Sequence, residues 1–361
     1  MFVLFSSMPK KEGTVQFLLS FAEALCAVGE DVRIFLPKGV CDDFTNVEHY
    51  DLLCLADTVP FSSAKVKSVA AAVVMLGPER VVFTDEGRGS LAVLEVLARQ
   101  GIKTSLVVHD PTPHPTRAEG GLKERISRWA YRAQWERVFG LASEYILLSK
   151  TSTAKFAAVH PGLASRVNVM PLCPHPPTGV VGERPADFVG DASAGDFYLF
   201  FGRIDEYKGL GRLLRAYDAC TKSCPLVIAG SGVLSGEESA LVGGIPGAIV
   251  LNRFISDGEM VWLFEHCLCV CLPYIEASQS GVLAMAYRYG KPVIVSDLDG
   301  LTEFVDEGKS GLVFRTEEEL AAELDEIAVP GVAEGLGAGA SRYLSEHLDW
   351  GKNVRRWLES E

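Results

Sequence analysis

The sequence predicts an α/β protein of two domains, each built on a parallel β-sheet with helices on both faces. Three observations carry this. Near-continuous apolar strands alternate with helical stretches, a Pro- and Gly-rich segment interrupts the alternation near the middle, and 361 residues exceed one ordinary core. Strands buried on both faces read as unbroken apolar runs, unlike the alternating strands of a half-solvated antiparallel sheet.

In the first half, Phe2–Phe5, Val32–Leu36, Val81–Thr84, Thr104–Val108, Tyr145–Ser149 and Val167–Met170 read as strands. Val15–Val28 and Ser90–Arg99 read as helices between them. Residues 173–196, CPHPPTGVVGERPADFVGDASAGD, have no apolar period and read as a linker between an N-terminal domain, 1–172, and a C-terminal domain, 197–339. The alternation then restarts with strands at Phe197–Phe201, Leu226–Ala229, Ala248–Leu251, Cys267–Leu272, Val293–Ser296 and Gly311–Phe314. The tail Ala340–Trp357 reads as a helix, and residues 340–361 are expected to pack back on the first domain. Ligands of such sheets bind at the carboxyl ends of the strands, so a cleft facing both sets of strand ends is expected.

Composition narrows the function. A hydrophobic fraction of 48% and a charged fraction of 22% are globular values. A net charge of −13 argues against nucleic acid, which is met by clustered Lys and Arg. No run reaches the roughly 18 apolar residues of a membrane span. Met1–Phe5 has no basic flank or small-residue cleavage site, so it reads as a core strand rather than a signal peptide. Nine cysteines without paired spacing suggest reduced thiols and a cytoplasmic location. Cys267, Cys269 and Cys271 alternate and share one strand face, where they read as small buried residues rather than metal ligands.

Three segments at strand ends in the second half carry chemistry. In Phe201–Gly209, FGRIDEYKG, Arg203 and Lys208 can reach one point before the sheet and neutralise a diphosphate; solvated surface cations are the alternative. Ile228–Gly232, IAGSG, starts like a dinucleotide fingerprint, but Ser235 and Asn252 stand where a third small residue and a ribose acid belong. It reads as a glycine turn lining a nucleotide pocket through Gly230 and Gly232. In Glu276–Gly281, EASQSG, a carboxylate suited to sugar hydroxyls precedes a small-residue helix start whose amides suit an anion; a polar loop with an N-cap at Ser278 is the alternative.

Taken together these segments resemble the retaining glycosyltransferases of family 4, also called group 1, which have the GT-B fold of two Rossmann-like domains facing each other across a cleft. The matching pieces are Gly202-Arg203-Ile204 with Lys208-Gly209, Ala229–Gly232, Pro273-Tyr274 with Glu276, Ser280-Gly281-Val282 and Gly290–Ile294. Gly300–Glu303 and Gly308–Leu312 also fit, so the resemblance covers most of residues 197–315 in order. It implies that Arg203 and Lys208 hold the donor diphosphate, and that Glu276 holds hydroxyls of the transferred sugar. The amides of Gln279, Ser280 and Gly281 would meet sugar or phosphate, and Arg253, Phe254 and Ile255 would face the nucleobase. One departure stands out: Ala284 occupies the place of a second glutamate that usually grips the ribose.

The resemblance extends to Ser105–Pro115, SLVVHDPTPHP, where His109 would contact the donor sugar; a hydrogen-bonded loop histidine is the alternative, and His114 adds no convincing metal site. In Ser6–Thr14, Gly13 stands where the family often has a Gly-Gly pair near the donor phosphate, with Lys10 and Lys11 before it. Asp85 and Glu86 read as acceptor contacts or as ordinary loop acids. Arg125, Arg128 and Arg132 recur at helical spacing with Trp129, Trp135 and Phe139 interleaved, a face suited to anionic lipid or to packing on the domain. Asp297-x-Asp299 imitates a metal-binding pair of another glycosyltransferase fold, but lies where this family has a Gly-x-x-Glu loop. The expected function is therefore a retaining transfer of sugar from a nucleotide-diphosphate sugar to a saccharide or lipid-linked acceptor, without a metal or other cofactor. A non-catalytic sugar- or nucleotide-binding relative, or an epimerase or phosphorylase of the same fold, is the alternative.

Overall fold

A computed structural model describes residues 1–8, 13–41, 51–55, 62–111, 133–175, 177, 179–189, 197–221 and 224–360. The chain forms two units, Met1–Pro171 with Trp350–Glu361, and Leu172–Asp349.

The first unit holds a seven-stranded parallel sheet in the order β3-β2-β1-β4-β5-β6-β7. Its strands are β1 (Phe2–Phe5), β2 (Val32–Pro37), β3 (Asp51–Leu55), β4 (Arg80–Phe83), β5 (Thr104–Val108), β6 (Glu144–Leu147) and β7 (Val167–Val169). The second unit holds six parallel strands in the order β10-β9-β8-β11-β12-β13. These are β8 (Tyr198–Phe201), β9 (Leu226–Ala229), β10 (Ala248–Leu251), β11 (Cys269–Leu272), β12 (Val293–Ser296) and β13 (Gly311–Phe314). Both sheets change direction once, between β1 and β4 and between β8 and β11. A crevice opens at the carboxyl ends of the strands at such a point.

The expected strands are present within one or two residues, and Cys267, Cys269 and Cys271 are all buried. Burial pushes the Cys267 and Cys269 thiols up, so they stay protonated core residues. Strand β3 has no counterpart in the sequence reading: it is an edge strand of five residues opening on Asp51, which pairs with Arg33 at 3.0 Å.

The segment read as a linker belongs to the second unit. Phe188 is buried, with its ring 5.6 Å from Phe197 and 5.1 Å from Trp262. Its neighbour Asp187 binds Arg253, and the Glu183 amide donates to the Gly258 carbonyl. The tail is two helices rather than one. Val332–His347 lies in the second unit, and only Trp350–Glu359 lies in the first. That last helix packs on Gly13–Ala27, with Trp350 and Trp357 against Phe17 and Phe21 at 5.3–6.1 Å. No helix among the described residues is long and apolar enough to cross a membrane.

Candidate functional site

In the second unit the candidate residues lie on the loops that follow the carboxyl ends of the strands, around the switch point between β8 and β11. After Phe201 the chain turns through Gly202, whose φ of +102° suits only glycine. A single turn of 3-10 helix, Glu206–Lys208, then brings Lys208 back beneath the strand end. A Cβ on Gly202 would lie 2.5 Å from the Lys208 ammonium, so the missing side chain makes the lysine's seat. Gly209, at φ +66°, closes the turn against the Pro273 carbonyl, and the Ile275 amide donates to the Tyr207 carbonyl at 2.7 Å. The β8 and β11 loops are thus stitched together by backbone.

Lys208 is 7% exposed. Its ammonium donates to the Phe201 carbonyl at 3.3 Å and sits 5.3 Å from the Tyr274 ring centre. Burial lowers its pKa, and the nearby Arg203 charge adds to this. An ammonium offers three donors. Among the described residues Lys208 finds one acceptor and no carboxylate partner. Arg203 is 77% exposed and pairs with Asp205 at 3.4 Å. These two cations sit at one strand end with donors to spare.

On the loop after β11, Glu276 is exposed and its carboxylate has no partner among the described residues. Ser280, rather than Ser278, caps the helix Gly281–Arg288: its hydroxyl accepts from the Leu283 amide at 3.4 Å. The Gly281 and Val282 amides are left without an intrahelical acceptor, as at any helix start. The Gln279 side-chain oxygen is buried without a hydrogen-bond partner. Ala284 is buried within this helix and presents no polar atom.

Gly230 and Gly232 serve packing directly. A Cβ on Gly230 would overlap the Gly202 carbonyl, and one on Gly232 would overlap the Ile204 carbonyl. Their absent side chains let the β9 turn lie flat on the β8 loop, joined by the Ile204–Gly232 bridge. Asn252 accepts from the Gly232 amide at 3.1 Å and donates to its carbonyl at 3.2 Å. Arg253 is held by Asp187 and Glu259 at once, and both contacts raise its pKa further. Ile255 is buried, whereas Phe254 is 81% exposed. Asp297 pairs with Arg315 at 3.0 Å, and Asp299 opens a short helix, so the two acids of that imitation pair have separate surroundings.

In the first unit, Asp85 lies at the β1–β4 switch. Its carboxylate accepts from the Ser7 amide at 3.0 Å, the Ser90 hydroxyl at 2.8 Å and the Gly87 amide at 2.7 Å. With the Ser7 hydroxyl at 3.3 Å its acceptor sites are filled, so Asp85 pins the loop and is not offered to an acceptor sugar. Glu86 is partly exposed as a residue, but its carboxyl oxygen Oε1 is shielded from solvent. Burial pushes its carboxyl up to about 8, against a hydrogen bond from Trp135 and with help from Asp85 and Asp110. His109 Nε2 lies 3.0 Å from the Thr84 carbonyl, so that nitrogen carries the proton and Nδ1 is the acceptor. Burial lowers the His109 pKa and keeps the ring neutral, edge-on to Phe17 at 5.5 Å. Gly13 opens the helix Gly13–Ala27 with open space where a Cβ would go. Lys10, Lys11, His114, Arg125, Arg128 and Arg132 lie outside the described residues.

Glu86 gives a test that needs no substrate. An unfolded carboxyl titrates near 4.5 and the folded one near 8, so stability falls as pH rises through that window. Glu86→Gln removes the titration. Its stability relative to the native chain is expected to climb between about pH 4 and pH 8 and then level off. Urea midpoints across that range check this; a constant difference would show that Glu86 ionises normally.

Two of the second unit's features were missed by sequence reasoning. Tyr274 was noted only as part of a matching motif, yet its ring faces the Lys208 ammonium. The Arg253 clamp has one readable half, the Ser256-x-x-Glu259 capping box, and one distant half, Asp187.

Residues 196–328, within the second unit, match the family model described as glycosyl transferases group 1. An uncharacterized glycosyltransferase of Methanocaldococcus jannaschii, MJ1607, is 27% identical over 157 residues, 42% of this chain and 36% of that protein. The aligned region thus spans about a third of the relative's length. Among solved structures, Anabaena HepE in complex with UDP and glucose superposes with a TM-score of 0.74 at 16% identity, covering 99% of this chain and 98% of that one. Sucrose-phosphate synthase of Thermosynechococcus elongatus gives 0.71 at 16% identity, covering 100% and 99%. The chain shares the GT-B fold of these proteins.

Proposed function

We propose that this chain is a glycosyltransferase that moves a sugar from a nucleotide-diphosphate sugar to a saccharide or lipid-linked saccharide acceptor, keeping the anomeric configuration. The observation that carries this reading is Lys208: a buried ammonium beside Arg203, with one carbonyl for company, at the switch point of a parallel sheet. A buried cation without a carboxylate is costly unless an anion arrives. A diphosphate supplies that anion, and the similar HepE structure contains UDP.

The roles follow from charge and position. Lys208 and Arg203 take the negative charge that grows on the departing diphosphate, with the first amides of Gly281–Arg288 beside them. Glu276 holds hydroxyls of the transferred sugar. The acceptor oxygen bonds to the anomeric carbon as the carbon–oxygen bond to phosphate breaks. The acceptor's proton passes to the departing phosphate oxygen, so no separate base is required, and this reading needs no metal ion. In the first unit we assign the neutral His109 to a donor-sugar hydroxyl. The protonated Glu86, which can donate a hydrogen bond at neutral pH, is assigned to the acceptor. A cytoplasmic location, with the acceptor met in solution or at the inner membrane face, accords with the free thiols.

A panel of nucleotide sugars, assayed for donor hydrolysis and for transfer to simple saccharides, tests the reading. At least one donor is expected to turn over, and Glu276→Ala to remove most of that turnover with unchanged melting. Binding of donors without turnover of any would overturn the enzyme in favour of a binding protein.

A further inference from the structure

The neighbour of the buried Lys208 ammonium is an aromatic ring. A lysine this deeply buried is ordinarily paired with a carboxylate. Among the described residues Lys208 instead meets one carbonyl and Tyr274, whose ring centre lies 5.3 Å from its Nζ. Tyr274 is itself buried and is tied to several elements. The Ser296 hydroxyl, at the end of β12, donates to its carbonyl at 2.7 Å, and Arg212 of the helix Leu210–Ala219 donates to the same oxygen at 3.3 Å. Its hydroxyl lies 3.4 Å from that of Ser280, the cap of the helix Gly281–Arg288. Its ring stands edge-on to Tyr207 at 6.0 Å. The ring is thus held in place by contacts other than the ammonium.

We infer that Tyr274 is a positioning residue of the diphosphate site, its ring acting as a neutral counter-group that keeps the Lys208 ammonium charged and in place. The negative face of an aromatic ring favours a cation, most strongly where both are out of water. A carboxylate in that position would also hold the ammonium, but it would cancel the charge and repel an incoming diphosphate. The ring leaves the charge, and two of the three N–H donors, to the ligand. Burial works in the opposite sense and lowers the Lys208 pKa. Of the charged and titratable groups nearby, Tyr207 and Asp205 favour the charged form and Arg203 opposes it. The role rests on the proposed diphosphate site and adds to it what keeps the lysine charged.

The test is an NMR pH titration of the full chain, isotope-labelled at the lysine Cε carbons, with the Lys208 signal assigned by its loss in Lys208→Met. Tyr274→Phe keeps the ring and loses only the hydroxyl beside Ser280. Tyr274→Leu and Tyr274→Met remove the ring with different packing, and melting curves identify whichever of them folds. In the ringless variants the Lys208 titration is expected to move to lower pH by about one unit, the loss of a desolvated cation–π contact. In Tyr274→Phe it should stay within about half a unit of the native titration. A ringless titration displaced by less than about half a unit, or an equal displacement in Tyr274→Phe, would overturn the role of the ring. Adding UDP or inorganic pyrophosphate to the native chain checks the underlying site separately. At least one of them should move the Lys208 signal. A signal unmoved by both would remove the diphosphate site itself, whatever the ring does to the titration.

Discussion

Lys208→Ala is expected to lower kcat/KM for sugar transfer by about two to three orders of magnitude, the usual loss when one preorganised group facing developing charge is removed. The ammonium is buried and held in place: Gly202 makes room for it, the Phe201 carbonyl accepts a hydrogen bond from it, and Tyr274 supplies an aromatic face. In the proposed mechanism it therefore needs no reorganisation as the diphosphate leaves. The same burial separates function from folding. A buried cation with a single neutral acceptor contributes little to stability, and an apolar side chain of similar length removes its desolvation cost. Lys208→Met should thus melt at or above the native temperature while losing transfer as fully as Lys208→Ala. The melting rise on adding a nucleoside diphosphate, which reports binding to the folded form, should shrink in both variants. Near-native kcat/KM in Lys208→Met would place the diphosphate elsewhere.

The sequence was most legible where one local rule decides the outcome. Unbroken apolar runs such as Val293–Ser296 have no stable home except a strand covered on both faces, and they became strands at nearly the expected bounds. That Arg203 and Lys208 both follow one strand end was legible for the same reason, since both sit within seven residues of Phe201. What stayed hidden depends on partners far apart in sequence. Asp85 looked like an acceptor contact because its saturation by Ser7 lies 78 residues away. Residues 173–196 looked like a linker because their Pro and Gly content conceals Phe188, whose ring packs on Trp262 of a later helix. Gly230 and Gly232 looked like ligand-lining residues, and their primary constraint turned out to be the neighbouring β8 loop, a contact that no periodicity predicts. In the tail, a single helical pattern concealed the break near Leu348, where the chain leaves one unit for the other.

That return of the chain predicts a large stability effect. Glu144 opens β6 and is almost fully buried. Its Oε1 pairs with Arg80 at 2.6 Å and accepts from the Ser105 hydroxyl at 2.7 Å and the Trp357 indole at 2.9 Å. Its Oε2 accepts from Asn168 at 3.0 Å. Four strands and the final helix therefore meet at one carboxylate, at the end of the sheet opposite to the loops that carry Asp85 and His109. Arg80 is 6% exposed and also lies 5.5 Å from the Trp357 ring centre. Glu144→Ala removes the pair's anion and leaves the guanidinium buried, a loss of about 3–5 kcal/mol. Glu144→Gln keeps hydrogen-bond capacity and should lose less, while Arg80→Met with Glu144→Leu, which removes both charges, should recover much of the stability. Urea unfolding measures all three, and limited proteolysis near Trp350 reports whether the last helix has come loose. If Glu144→Ala unfolds at the native midpoint, the carboxylate is not what ties that helix to the sheet.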